Sequence, residues 1–239
     1  MLNTILFDLD GTLLPISQDD FKNAYVKLLC MKYIPLGYDK DSIIKALWTA
    51  TGAMVRNDGS CTNEDLFWQN FSALLGDVAP MKDTIPEFYV GEFNDVRAVT
   101  RPTELPRKII DTLKGKGYDL ILATNPLFPA VAVETRLAWI DLSPSDFSLV
   151  TTYENSTFCK PFPGYYKEIL EKTGKRAADC RMIGNNPAED MVAAKLGMDA
   201  FLVTDCLEND GNAPLDAFPQ GSLADVLSWA QTLPECPTA

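Results

Sequence analysis

The chain has 239 residues, a net charge of −12, 46% hydrophobic residues and no histidine. Without imidazole, acid–base work falls to Asp, Glu, Lys, Tyr or Cys, and any hard metal would be held by oxygens, which favours magnesium or calcium over zinc. The acidic balance argues against nucleic acid and anionic membrane surfaces as partners, and the length suits one large domain or a core domain with an insert.

In chain order, Ile5-Leu6-Phe7 reads as a short buried strand, and Asp8-Leu9-Asp10-Gly11-Thr12 follows where it ends. Side chains alternate along a strand, so the two carboxylates fall on one side. Gly11 lets the chain leave the strand at an angle that other residues resist. This grouping suggests a metal-assisted site with a carboxylate nucleophile. Residues 17–95 read as helical. Phe21, Ala24, Tyr25, Leu28 and Leu29 share one helix face, with Ser17 three before Asp20 at capping distance. Ile43, Ile44, Leu47 and Trp48 make a second face, and Phe67, Phe71, Leu74 and Leu75 a third, preceded by Thr62 and Asp65. Pro86 to Phe93 adds a short fourth helix.

After Pro102 the pattern alternates. Helix 106–114 leads to strand 120–123, helix 129–139 to a weaker strand at 147–150, and helix 165–172 to strand 180–183. Helix 189–196, strand 200–203 and helix 223–233 complete the series. Such alternation predicts an α/β fold: a doubly wound, Rossmann-like parallel sheet core formed by residues 1–14 plus 96–239, with an inserted helical domain at 15–95. The tail after Leu233 reads as loose. None of Cys30, Cys61, Cys159, Cys180, Cys206 and Cys236 forms a C-x-x-C pair. No signal-peptide pattern opens the chain and no apolar run is long enough to span a membrane, so a cytoplasmic location is expected.

Ligands of parallel sheets bind outside the carboxyl ends of the strands. The polar clusters fall there: Asp8 and Asp10, then Thr124-Asn125-Pro126, then Lys160-Pro161, then Gly184-Asn185-Asn186 with Glu189 and Asp190. In this order they resemble the four motifs of the haloacid dehalogenase superfamily, mostly phosphatases, and the insert resembles the helical cap of that superfamily's first cap class. The resemblance implies that Asp8 attacks phosphorus and forms an aspartyl-phosphate, and that Asp10 protonates the leaving group and then activates water. It implies that Lys160 steadies nucleophile and phosphate, and that Gly11, Thr12, Thr124 and Asn125 lie against the phosphoryl group. Magnesium would be held by Asp8, Asp10, Asp190 and Asn185. The fourth motif usually begins Gly-Asp; Asn185 brings an oxygen but no charge.

Within the insert, Arg56 stands in a polar loop between helices and would suit an anionic substrate group. Trp48, Phe67, Trp68 and Phe71 lie at helical spacing and read as core of the insert. The expected activity is magnesium-dependent hydrolysis of a small-metabolite phosphate monoester, with no nucleic-acid or membrane partner; the oligomeric state is open. A phosphomutase, or a non-catalytic binding protein on the same scaffold, are the alternatives. A dehalogenase of this type would not keep Asp10.

Overall fold

The computed structural model describes residues 1–209, 213 and 215–236. Its centre is strand β1 (Thr4–Phe7), four residues with every side chain buried. On one side β1 pairs with β2 (Asp119–Leu122), which pairs with β3 (Leu149–Val150). On the other it pairs with β4 (Cys180–Gly184), followed by β5 (Asp199–Val203) and β6 (Gln220–Gly221). All pairs are parallel, and the order is β3-β2-β1-β4-β5-β6. This doubly wound order reverses direction between β1 and β4, which opens a crevice at the carboxyl ends of those two strands.

Alternation along the strands divides the core. Ile5, Phe7, Leu122 and Ile183 face one layer, with Ile109 and Leu113 of helix α5 (Leu105–Gly115), Val133 of α6 (Ala130–Ala138) and Val226 of α8 (Leu223–Thr232). Leu6, Ile121 and Met182 face the other, against Tyr165, Tyr166 and Ile169 of α7 (Pro163–Thr173). Burial on both faces explains why these strands are continuous apolar runs.

Between β1 and α5 the chain runs through α1 (Gln18–Tyr33), α2 (Lys40–Val55), α3 (Asn63–Leu75) and α4 (Ala79–Val90). Ser17 and Thr62 cap α1 and α3, accepting from the amides of Asp20 and Asp65. Phe21, Tyr25, Leu47 and Phe71 join the same apolar cluster as one face of the sheet.

Several expectations are corrected. The fourth helix begins at Ala79, not Pro86, and is followed by 3-10 turns over Glu92–Val99, past the expected boundary at residue 95. Pro80, in its first turn, is the helix-opening proline; Pro86 sits inside the helix on its exposed side. The helix expected over 189–196 is a 3-10 segment, Met191–Leu196. Before it, Asn186 Oδ1 accepts from Ala188 N and Glu189 N, and Asp190 Oδ2 accepts from Asn186 N. These side chains compete with helical bonding. Nor is the tail loose as far as Cys236. Lys116 Nζ donates to the Leu233 carbonyl (2.5 Å), Tyr118 Oη to Pro234 O (3.1 Å), and Cys236 N to Lys116 O (2.7 Å); residues 237–239 lie outside the described residues. Strand β6 was not expected, since two residues carry no readable period. Among the described residues no helix is long and apolar enough to cross a membrane.

Candidate active site

Asp8 follows β1 directly. Its amide donates to Ile183 O at 2.9 Å, continuing the ladder with β4, so the side chain emerges at the strand-order reversal. The chain then turns at Gly11, where φ is 84°. A Cβ at Gly11 would lie 2.2 Å from Asn185 Nδ2, so glycine is needed for both conformation and space. The Thr12 hydroxyl lies between Asn185 Oδ1 (3.0 Å) and Asp8 Oδ2 (3.3 Å), either of which it can donate to. Asn185 Nδ2 donates to Cys206 O at 2.7 Å, which ties the loop after β4 to the loop after β5. An aspartate could not make that last bond.

Lys160, on the loop after β3, is almost fully buried and donates to Asp8 Oδ1 (2.8 Å) and Asp190 Oδ1 (2.6 Å). Burial works against its charge, but Asp190 and Asp8 outweigh that and hold the ammonium well above its ordinary range. Asp8 behaves differently. Burial pushes its carboxyl up to about 8; Lys160 opposes the shift, while Asp190 and Asp10 add to it. Lys160 therefore offsets only part of what burial and the neighbouring carboxylates cost the ionised Asp8. Asp190 is brought close by Gly184, where a Cβ would lie 2.2 Å from the Asp190 carboxyl group.

Asp10 takes a different partner. Its Oδ2 accepts from Arg136 Nη1 of α6, and Arg136 is wholly buried. The guanidinium also stacks 4.7 Å from the Phe128 ring and 5.6 Å from Phe21. Asp10 Oδ1 and Arg136 Nη2 are buried without hydrogen-bond partners. Arg136 was missed in the sequence. The signal was there: with Ala132, Val133 and Leu137 it shares the apolar face of α6, where a charge needs a buried acid.

The other expected residues divide into two groups. Asn125 Oδ1 accepts from Lys160 N (3.3 Å), and its Nδ2 donates to Glu189 Oε2 (3.1 Å), which joins three motif loops. Burial raises Glu189, with Lys160 opposing. The Thr124 carbonyl is fixed by Thr151 Oγ1 (2.7 Å) and Tyr165 Oη (2.9 Å). A cavity of about 600 Å³ opens at these strand ends, walled by Asp8, Asp10, Thr124, Asn125, Asn185 and Asp190. Arg56 does not line it; the side chain is exposed and folds back over Gly52 on α2. The polar wall from the insert is instead the start of α1 (Ser17, Gln18, Lys22), with Arg101 from the connection after the insert. A buried amide pair docks the insert. Asn57 Nδ2 donates to Asn63 Oδ1 (2.8 Å), and Asn63 Nδ2 donates to Pro126 O (3.2 Å) and Cys159 Sγ (3.3 Å).

Around Asp8 the side-chain donors that could face a cation are oxygens, those of Asp190, Thr12 and Asn185, although Cys206 also lines the cavity. Among the described residues, no three carboxylates or thiolates converge into a group that could hold an ion by themselves. That fits magnesium, which commonly takes one or two carboxylates and completes its shell with water and substrate phosphate. Asp8 and Asp190, drawn together on Lys160, are such a pair, with the Asn185 amide oxygen beside Asp8 through Thr12. Asp10 is engaged with Arg136 instead.

Comparison with known proteins gives the fold and the family. Pyrophosphatase PpaX of Bacillus cereus (strain AH820) is 21% identical over 227 residues, 95% of this chain and 94% of that protein. A HAD phosphatase from Thermococcus onnurineus superposes with a TM-score of 0.60 at 17% identity, covering 95% of this chain and 97% of that one. A 2-haloacid dehalogenase from Pseudomonas syringae pv. Tomato DC3000 superposes with a TM-score of 0.61 at 18% identity, over 96% and 99%. The shared fold spans phosphatase and dehalogenase alike, so the site has to decide between chemistries. Residues 2–197, from the first strand through the fourth motif, match the haloacid dehalogenase-like hydrolases, and the chain belongs to that family.

Proposed function

We propose that the enzyme is a magnesium-dependent phosphatase acting on a small phosphorylated metabolite through an aspartyl-phosphate at Asp8. One observation carries the reading: Asp8 and Asp190, on the wall of one cavity at the strand-order reversal, are joined from beneath by the buried Lys160, and the three come from distant segments. An Asp8 oxygen attacks phosphorus and the ester P–O bond breaks, while Asp10, protonated for this step on the Oδ1 that Arg136 leaves free, gives that proton to the departing oxygen. Asp10 then takes a proton from the water that attacks the aspartyl-phosphate, which releases phosphate and restores Asp8. Lys160 holds Asp8 in line and offsets charge on the transferring group. Asp8, Asp190 and Asn185 would hold magnesium, which supplies the positive charge that Lys160 alone does not. Thr12, Thr124 and Asn125 shape the phosphoryl site. Residues 15–95 act as the cap over the core formed by 1–14 plus 96–239, and the start of α1 meets the substrate in place of Arg56. Among the described residues all six cysteines are free, which supports a reducing, cytoplasmic setting.

The test is phosphate release from p-nitrophenyl phosphate, pyrophosphate and a panel of metabolite esters, with magnesium, with EDTA, and with Asp8→Asn. Activity that needs both magnesium and Asp8 is expected. A folded, magnesium-loaded sample that releases phosphate from none of them would sink the reading; a phosphorylated product in place of free phosphate would make it a mutase.

A further inference from the structure

Beside the catalytic cavity lies a second, partly open chamber of about 160 Å³, lined by α1, α2, α3 and α4 together with the loop after β2 and Tyr153. Its walls are rings and aliphatic chains, among them Leu47, Trp48, Phe67, Trp68, Phe71 and Ile85. The expectation that the four aromatics of this group are simply core of the insert is therefore incomplete. Interiors normally pack without voids larger than a water, and wall atoms facing a void lose their dispersion contacts. An apolar cavity of roughly 150 Å³ stays dry and accepts a benzene-sized ring.

The two cavities share Gln18, Phe21, Lys22, Leu127 and Phe128, so they meet at the start of α1 and the loop after β2. Their chemistry is opposed. Carboxylates, amides, Lys22 and Arg101 line the first. In the second, the hydroxyls of Tyr25 and Tyr89 are bonded to each other at 3.0 Å, leaving ring surface to the chamber. A charged group would lose hydration there without compensation, whereas a neutral ring would not. The shared rings are also held in place. Phe21 and Phe128 meet edge to face at 5.6 Å, and both are backed by the Arg136 guanidinium that binds Asp10.

We propose that this chamber is a subsite for an aromatic ring on the substrate's leaving group, so that the enzyme prefers aryl or arylalkyl phosphates. This rests on the phosphatase reading for its chemistry, but not for its test. Phenylphosphonate and methylphosphonate, which cannot be hydrolysed as esters, are titrated with magnesium present and followed by tryptophan emission; Trp48 and Trp68 are two of the chain's four tryptophans. Phenylphosphonate is expected to bind at least about tenfold more tightly and to change the emission. Ile85→Phe on α4 and Thr51→Phe on α2 each add a ring to the chamber from a different helix and should each remove most of that ratio. Equal affinity, binding of neither phosphonate, or a preference that survives both fillings overturns the subsite. Ring preference in binding with no ester turned over would keep the subsite and overturn the phosphatase reading. Efficient turnover of non-aromatic esters without ring preference would do the reverse.

Discussion

The two cavities that meet at the start of α1 are built on opposite principles. In the strand-end cleft three motif carboxylates are held by cations from distant segments: Asp8 and Asp190 by Lys160, Asp10 by Arg136. In the helical chamber the walls need no partners, and neighbouring rings such as Phe67 and Phe71, stacked at 5.1 Å, come from one helix face. The contrast teaches where substitutions will hurt. Removing one member of a buried pair strands the other, whereas removing a ring forfeits only its own contacts.

The largest expected effect is on chemistry. Asp8→Asn should lower phosphate release by about four orders of magnitude or more while the circular dichroism spectrum is retained. Retained activity would place the nucleophile elsewhere in the cleft. Next, Arg136→Ala should cost about 3 kcal/mol in urea unfolding, because it leaves Asp10 without its counter-charge and empties the space the guanidinium fills against Phe21 and Phe128. Adding Asp10→Asn should recover much of that loss. A cost below about 1 kcal/mol would show that the pair is not what holds these elements together.

The chamber should be more forgiving. Met81→Ala, on its α4 wall, is expected to cost about 2 kcal/mol, the low end for a buried methionine, since one side of that chain already faces open space. A loss as large as that of Arg136→Ala would erase the distinction between the two cavities. The smallest effect belongs to charges outside both. Asp146 accepts from Arg107 (2.9 Å) and Lys114 (2.9 Å), with the two cations 29% and 42% exposed. Burial works against the Asp146 carboxylate, but these partners outweigh it and hold the carboxyl well below its usual range. A carboxyl lowered by folding contributes stability above its ordinary pKa of about 4, and that contribution is lost as pH falls through the lowered value. Asp146→Asn should therefore cost about 1 kcal/mol at pH 7, after solvent screening, and progressively less below about pH 4. Thermal unfolding at both pH values checks the sign.

Read from the residues alone, the alternation of apolar runs with amphipathic helices already specified a parallel α/β sheet and a run of helices after its first strand, because burial on two faces or on one stripe leaves its period in the chain. It also placed Asp8, Asp10, Thr124, Lys160 and Asp190 at strand ends, since each follows its strand within a few residues or a short loop. Local hydrogen bonding escaped that reading: the Asn186 side chain kept 189–196 from forming an α-helix, and Lys116 fastened the tail. Pairings escaped it too. That Asp10 would meet Arg136, 126 positions away, that Asn185 would brace Gly11 and Cys206, and that Arg56 would turn away from the cleft depend on how separate elements pack. A periodic pattern records which face of an element is buried; it carries no record of which distant side chain will share that burial, and only the tertiary structure decides it.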